Sequence, residues 1–301
     1  MQMHEQWVEV DGYKVWSKRI GQASASGRWP VVLLHGGPGV PSDYLEPLER
    51  LAESGREVIL YDQLGCGRSD HPDDPALLQV NRFVAELASL RKALSLETIH
   101  LYGQSWGGML ALEVALSDAQ GVNSLILSNA PGSMPLWVEE TARLRQELPV
   151  EVRIRLDQHE NANTTDSAEY QEAMMVFYQR HVCRLDQWPD CLMRSFSSME
   201  ADPRVYRAMC GTSEFNVTGS LRDWDRSDRL HLIQQPTLVI SGQYDEATPK
   251  VAGALHQGIA HSEWELMADC SHLCHLEQTE RYLERVNTFL DKVESNQPAP
   301  C

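Results

Sequence analysis

The sequence predicts an α/β protein in which a mostly parallel sheet is flanked by helices and interrupted by a helical insertion. Short apolar runs without polar alternation are typical of strands covered on both faces. Helical patterns at 80–94 and 109–116 separate the early runs, which indicates βαβ units over the first ~130 residues. From about 134 to 221 the chain has helical periodicity and no clear buried strand. The apolar runs lie at 31–34, 58–61, 125–127 and 238–240.

The two ends of the chain complete the predicted core. Alternating residues on both sides of Asp11-Gly12 predict a β-hairpin, because this dipeptide favours a tight hairpin turn. Strand character returns at 236–240 and again at 263–267, and a helix is predicted over 278–292 before a polar, proline-containing tail.

These patterns predict two structural units. The α/β core comprises 1–133 and 230–301, and a helical cap comprises 134–229. Within this cap, we expect amphipathic helices at 139–148 and 167–180.

The composition narrows the classes of function. With 301 residues, 42% of them hydrophobic and 23% charged, the chain can form a large core. A net charge of −17 disfavours nucleic acid and anionic membrane surfaces as partners. No apolar run approaches the ~20 residues that a membrane span needs. Seven irregularly spaced cysteines and an N-terminus without signal-peptide character favour reduced thiols and a cytoplasmic location. The oligomeric state stays open.

The most informative motif is Gly-Gln-Ser-Trp-Gly at 103–107. An apolar run precedes it and a helical pattern follows, so Ser105 lies on a predicted strand-to-helix turn. This context is typical of the nucleophile elbow of an α/β-hydrolase. By itself the G-x-S-x-G pattern occurs by accident in roughly one chain in ten of this length. The prediction therefore depends on the other parts of the site.

A glycine-rich loop at 35–39 follows the first predicted parallel strand. In α/β-hydrolases this loop supplies one backbone N–H group of the oxyanion hole, and the residue after the nucleophile supplies the other. We expect these two donors to be Gly37 and Trp106. A bare glycine turn is the alternative.

The acid and the base of a catalytic triad should follow the serine in that order. Asp245 lies just past the 238–240 strand, although a helix N-cap is its structural alternative. His272 begins the loop after the next strand, and spacing alone leaves His275 as a competitor. In this scheme His272 removes the Ser105 proton, and Asp245 orients and stabilises the imidazolium. No metal or organic cofactor is required. His100, in contrast, is expected to be a packed core residue.

A metal site is the other interpretation of the segment around His272. Cys270 and Cys274 flank this histidine, and His275 follows. Their spacing matches no common zinc pattern, so we expect no metal there.

The motifs together resemble the proline iminopeptidase family of α/β-hydrolases over nearly the whole chain. The segment 214–224 looks like the tricorn-interacting aminopeptidase branch. Gln104 and the segment 130–137 look closer to the bacterial L-amino acid amidases of that branch. The matching motifs are His-Gly-Gly-Pro-Gly at 35–39, Asp-Gln-Leu-Gly-Cys-Gly-Arg-Ser at 62–69, Gly-Gln-Ser-Trp-Gly-Gly at 103–108 and Gly-Gln-Tyr-Asp-Glu at 242–246.

The resemblance implies hydrolysis of an amide or peptide bond after an amino acid with a free α-amino group. It implies that Glu214 and Glu246 hold the substrate ammonium, and it favours His272 over His275. Leu64 departs from the family's Asp-Gln-Arg-Gly loop. The partner is then an amino acid amide or a short peptide, with the preferred residue, proline or another, left open.

Two other functions use the same fold. One is an esterase or lactonase with the same triad, and the other is a hydrolase-like binding protein.

Overall fold

A computed structural model of the chain describes residues 2–21 and 27–296. The predicted tail from residue 297 onward lies outside the described residues, and so does Cys301. None of the helices in these ranges is long and apolar enough to cross a membrane.

An eight-stranded sheet forms the centre of the molecule, with the strand order β1-β2-β4-β3-β5-β6-β9-β10. The hairpin β1–β2 pairs antiparallel around Asp11-Gly12, as predicted, and β2 also pairs antiparallel with β4. The remaining pairs are parallel. The strands of this sheet are β1 (Met3–Val10), β2 (Tyr13–Ile20), β3 (Val31–Leu34), β4 (Val58–Tyr61), β5 (Ile99–Gln104), β6 (Val122–Ser128), β9 (Thr237–Gly242) and β10 (Ser262–Met267).

Helices lie in the core and in the chain inserted between β6 and β9. The core helices are α1 (Val80–Ala93), α2 (Trp106–Ser117), α8 (Pro249–Gly258), α9 (Cys274–Glu277) and α10 (Thr279–Ser295). The inserted helices are α3 (Met134–Gln146), α4 (Val150–Ala162), α5 (Ala168–His181), α6 (Asp190–Ala201) and α7 (Arg204–Met209).

The central strands are buried because apolar layers cover both faces of the sheet. In β3, Val32 and Leu34 join the layer that contains α1 and α2. Val31 and Leu33 join the layer on the opposite face, which contains α10. Successive side chains of a strand point to opposite faces, so a strand between two layers has no polar positions. The predicted class, a mostly parallel sheet flanked by helices, is confirmed.

Two local features were not predicted. The segment Ser42–Ser54 forms a run of 3₁₀ turns, and the inserted chain contains a small antiparallel pair of strands, β7 (Gly211–Ser213) and β8 (Asn216–Val217). Shorter 3₁₀ turns occupy Pro75–Leu77 and Ser227–Leu232. The inserted helices agree in position with the expected cap, whose limits as a domain at 134 and 229 stay a prediction.

The turn between β5 and α2 places Ser105 at the carboxyl end of the sheet. Its backbone has φ 55° and ψ −121°, a conformation that non-glycine residues rarely adopt. A Cβ atom on Gly103 would collide with the carbonyl oxygen of Gly107, and a Cβ atom on Gly107 would collide with that of Leu34. The glycines on both sides of the serine are therefore required by the close approach of three backbone segments.

Two glycine-to-alanine changes test this packing. Gly253→Ala should raise the free energy of unfolding by about 0.5–1 kcal/mol, because alanine favours the helix. Its Cβ would make only an ordinary contact, 3.6 Å, with the Trp264 ring. Gly107→Ala should lower the same quantity by roughly 3 kcal/mol through steric overlap. Urea unfolding shows whether the free energy of unfolding rises or falls in each variant. The same change in both variants would contradict this account of the turn.

Candidate active site

Loops at the carboxyl end of the sheet and the inserted chain enclose a small cavity of about 40 Å³. It brings together most of the residues that the sequence singled out: Gly37, Ser105, Glu214, Glu246 and His272 line its wall. Ser105 and His272 are almost completely buried, with 8% and 5% of the residue surface exposed. The predicted site residues thus converge from five separate segments of the chain.

His272 and Asp245 are joined by a hydrogen bond. The distance from His272 Nδ1 to Asp245 Oδ1 is 2.8 Å, and both side chains are buried. The bond leaves Nε2, the other ring nitrogen, to act on the cavity side, because a carboxylate partner favours the proton on Nδ1. Trp137 packs edge-on against the His272 ring at 5.7 Å between ring centres. The imidazole is therefore held on two sides.

Asp245 receives further hydrogen bonds from buried donors. The Asn129 amide donates to Oδ2 at 2.6 Å, and the Ala247 backbone N–H donates to Oδ1 at 2.8 Å. Ser128 in turn donates to Asn129 Oδ1 at 2.6 Å. These bonds fix the orientation of the carboxylate. Sequence reasoning missed Asn129, although a polar residue directly after a buried parallel strand is a usable signal.

The two expected oxyanion donors lie beside Ser105. Gly37 and Trp106 line a second small cavity, of about 20 Å³, on the wall of which Ser105 also lies. Trp106 is the first residue of α2, so its N–H group has no partner within the helix. Gly37 has φ 103°, and a Cβ atom there would lie 2.7 Å from the nitrogens of Gly39 and Val40. This backbone therefore requires glycine.

Glu246 is a fully buried carboxylate on the wall of this cavity. Neither of its oxygens has a donor among the described residues, and Oε1 lies 3.7 Å from His272 Nε2. Glu214 is partly buried on the same cavity wall, where its Oε1 accepts a hydrogen bond of 2.7 Å from the Tyr206 hydroxyl. Trp137 Nε1 donates to the Glu214 backbone carbonyl at 2.8 Å. Glu214 and Glu246 thus line the same cavity, and among the described residues only Glu214 accepts a side-chain hydrogen bond.

Burial sets the charge state of both glutamates. Enclosure by the protein raises the pKa of Glu246 well above its ordinary value, and the nearby charge of Glu214 raises it further. Burial also raises the pKa of Glu214, against the opposing effect of His272. Removing a carboxylate from water disfavours its ionised form, and a second carboxylate nearby adds repulsion. A cation placed between these groups would relieve both costs.

Two other histidines that the sequence singled out, His275 and His100, have hydrogen-bond partners other than Asp245. His275 is buried with its Nε2 3.1 Å from the Tyr44 carbonyl oxygen, and burial lowers its pKa to about 4. His100 is a core residue whose Nδ1 lies 2.8 Å from Ser124 Oγ. Within 2–21 and 27–296, no group of three or more acidic, histidine or cysteine side chains is placed to hold a metal. The structure therefore places His272, and not His275, at Asp245.

A hydrogen-bonded link that the sequence did not indicate joins the loops around the site. The Tyr44 hydroxyl receives a bond from the Gly36 N–H and donates one to Gln104 Oε1, each at 2.7 Å. The Gln104 amide then contacts the His272 carbonyl oxygen at 3.3 Å. This chain ties the glycine-rich loop, the elbow and the histidine loop together.

The fold and the cavity define the class of protein, an α/β-hydrolase, and the comparisons agree. A family model described as "alpha/beta hydrolase fold" matches residues 30–279. The chain is 38% identical over 296 residues to a proline iminopeptidase of Lactobacillus acidophilus, covering 97% of this chain and 99% of that protein.

Two solved structures are similar over almost their whole length. The crystal structure of VinJ matches with a TM-score of 0.94 and 41% identity, over 96% of this chain and 99% of VinJ. That of a proline iminopeptidase from Mycobacterium smegmatis matches with a TM-score of 0.90 and 39% identity, over 96% and 98% of the two chains. The chain therefore belongs to the proline iminopeptidase family, which confirms the resemblance carried by its motifs. It is a prolyl aminopeptidase-like hydrolase, and its branch within the family stays a prediction.

The charge states predict an unusual stability effect. A raised pKa means that the folded protein holds the Glu246 proton more tightly than the unfolded chain does. The stability from this group is complete below the unfolded pKa and is lost as the pH rises through the folded pKa. Glu246→Gln should therefore raise the free energy of unfolding at alkaline pH by on the order of 1–3 kcal/mol, with the gain shrinking toward acidic pH.

Urea unfolding between about pH 5 and about pH 9 measures this effect, a range that starts near the ordinary glutamate pKa. Glu294→Gln is the opposite control. Burial alone would raise the pKa of Glu294. The hydrogen bond with His100 and the positive charge of Arg56 outweigh this effect, so the pKa of Glu294 is lowered. That variant should be less stable than the wild type by a nearly constant amount over this range, because a group with a lowered pKa loses its stabilising charge only as the pH falls through its folded pKa. A Glu246→Gln protein that is less stable than the wild type at alkaline pH would contradict the buried, unpaired carboxylate.

Proposed function

We propose that this protein is a serine aminopeptidase or amidase that releases an N-terminal amino acid with a free α-amino group from an amide or a short peptide. The observation that carries the proposal is the pair of acidic side chains, Glu214 and Glu246, in the same cavity as Ser105 and His272. A neutral acyl group would leave Glu246 buried without a partner. An ammonium ion supplies both the charge and the hydrogen-bond donors that this carboxylate lacks.

The chemistry proceeds through an acyl-enzyme. His272 Nε2 takes the proton from Ser105 Oγ as this oxygen attacks the substrate carbonyl carbon. The N–H groups of Gly37 and Trp106 stabilise the oxyanion, a contribution of roughly 3–4 kcal/mol each in serine hydrolases. Asp245 stabilises the imidazolium, which gives its proton to the leaving amine as the C–N bond breaks. A water molecule, deprotonated by His272, then hydrolyses the ester and regenerates Ser105.

The small size of the two cavities favours a compact acyl residue. One water molecule needs about 10–15 Å³ of such space, so cavities of about 40 and 20 Å³ accommodate only a few groups of that size. The second cavity is largely apolar, with Met109, Met134 and Leu221 in its wall. We therefore propose proline, with its small apolar ring, as the first acyl residue to test.

Several finer expectations stay predictions. The six cysteines that the structure describes are all free thiols, which supports the expected cytoplasmic location. The exclusion of nucleic acid and membrane surfaces as partners rests on the net charge of −17.

Loss of the nucleophile tests the mechanism. Ser105→Ala should lower kcat for L-prolinamide by about 10⁴-fold or more, because no other group can form the acyl-enzyme. The rate of ammonia release from purified wild type and variant measures this loss. Thermal unfolding should show that the variant is still folded. Activity that survives in the variant would contradict the mechanism.

Blocking the amine tests the recognition of the ammonium group. N-acetylation of L-proline p-nitroanilide should abolish its turnover, and Glu246→Gln should lower kcat/KM for the free amine by about 10–100-fold. Glu86→Gln is a matched control, because Glu86 is also a fully buried glutamate with a pKa raised by burial, to about 8, but lies outside the cavity. It should change kcat/KM little. The variants and both substrates are compared by release of p-nitroaniline.

The esterase or lactonase alternative makes a different prediction for the same set of proteins. It requires a plain acyl ester, or the N-acetylated substrate, to be hydrolysed as fast as the free amine. Equal rates would favour that function and contradict the role of Glu214 and Glu246.

A further inference from the structure

A third, much larger cavity adjoins the 40 Å³ cavity that contains Ser105 and His272. It has a volume of about 660 Å³ and lies among the inserted helices α5, α6 and α7. Tyr178 and Phe196 belong to the walls of both cavities. The two cavities are therefore adjacent and share these two aromatic side chains as part of their walls.

The wall of the large cavity contains a cluster of apolar, adaptable side chains beside several polar ones. Its apolar residues include Leu185, Trp188 and four methionines, at 174, 175, 193 and 199. Methionine side chains are flexible and polarisable, so they pack against apolar groups of varied shape. The apolar part of this wall suits a hydrocarbon or aromatic group, because burying apolar surface there removes it from water.

The charged residues at the wall disfavour an anionic ligand. They are three acidic residues and one basic residue, namely Asp166, Asp186, Glu200 and Arg207. Arg207 forms an ion pair with Asp166. Among the described residues, the cation at this wall is therefore already paired with a carboxylate, and the carboxylate of a free dipeptide would enter the region at an electrostatic cost.

The arrangement around Ser105 assigns this space to the leaving group. On the proposed function, the ammonium group of the acyl residue lies at Glu214 and Glu246, and its carbonyl oxygen lies at Gly37 and Trp106. The small apolar cavity beside Ser105 takes the acyl side chain. The direction past Tyr178 and Phe196 is then left for the amine side of the scissile bond.

We propose that the large cavity binds the leaving group, and that this group is an extended, uncharged apolar amine rather than the carboxylate-bearing end of a short peptide. This inference rests on the proposed function and names the substrate class of the same site. Each methylene group that becomes fully buried should raise kcat/KM by about fourfold, and by about twofold where burial is partial.

A ladder of substrates tests the inference. The acyl residue with the highest rate as its p-nitroanilide is coupled to ethylamine, butylamine, hexylamine and octylamine, and kcat/KM is measured below micelle-forming concentrations. We expect an increase of at least about tenfold from ethyl to octyl. We also expect the dipeptide with glycine to be a poorer substrate than the butylamide. A flat or falling series would overturn the inference.

Two exposed residues provide matched variants. Met193 lies at the wall of the large cavity with 47% of its surface exposed, and Ile154 lies outside it on α4 with 51% exposed. Met193→Lys should lower the octyl-to-ethyl ratio of kcat/KM by about fivefold to tenfold, because the lysine introduces a charge where the alkyl group of the substrate is expected to pack. Ile154→Lys should leave the ratio unchanged. Equal ratios in all three proteins would contradict the assignment.

The outcome separates this inference from the proposed function. If no amide with a free amine is hydrolysed, the proposed function fails. If L-prolinamide is hydrolysed but chain length has no effect, only the leaving-group assignment fails. In the opposite orientation, the acyl side chain would occupy the large cavity. To test it, kcat/KM is compared for p-nitroanilides of increasingly large acyl residues. Rates that rise with acyl size instead would place the acyl side chain in the large cavity and overturn the assignment.

Discussion

The site depends on the contrast between two adjacent carboxylates in one loop. Asp245 accepts hydrogen bonds from His272, Asn129 and a backbone N–H group, so its charge is compensated. Glu246, the next residue, is equally buried and has no donor among the described residues. Ionising such a group is costly, and proteins seldom keep one without a reason. The loop therefore orients the imidazole with one carboxylate and leaves the other without a donor among the described residues, and we propose that a cationic ligand pairs with it.

This arrangement links the stability of the free enzyme to recognition of its substrate. Repulsion between Glu214 and Glu246 and the loss of hydration destabilise the empty site, and an ammonium group would compensate both. On the proposed function, binding strength and discrimination against neutral acyl groups have one physical origin, since a substrate without the cation leaves the carboxylates unpaired. The inserted helices contribute Glu214 and also form the large adjoining cavity. The same part of the chain can thus select both sides of the scissile bond.

Local signals predicted the core and most of the site. Both faces of the sheet are covered, so its strands are continuous apolar runs, and the glycines around Ser105 mark a turn that side chains would obstruct. Asp245 and His272 were predicted because each follows a strand, where loops meet at the carboxyl edge, and the structure brings the two side chains into contact. Tyr178 and Tyr206 gave no such signal. They lie on inserted helices whose packing angles depend on distant contacts, and nothing in their local sequence indicates that they face the carboxylates.

The most direct test of the central claim is calorimetric titration of the Ser105→Ala protein with L-prolinamide at about pH 6, where the ligand amine is protonated. Repeating the titration in buffers of different ionisation enthalpy gives the number of protons exchanged on binding. A carboxyl with a raised pKa should lose its proton when an ammonium ion binds beside it, so we expect proton release in Ser105→Ala, and a smaller release in Ser105→Ala with Glu246→Gln, which keeps only Glu214. Binding without proton release, together with equal affinity for N-acetyl-L-prolinamide, would contradict the account.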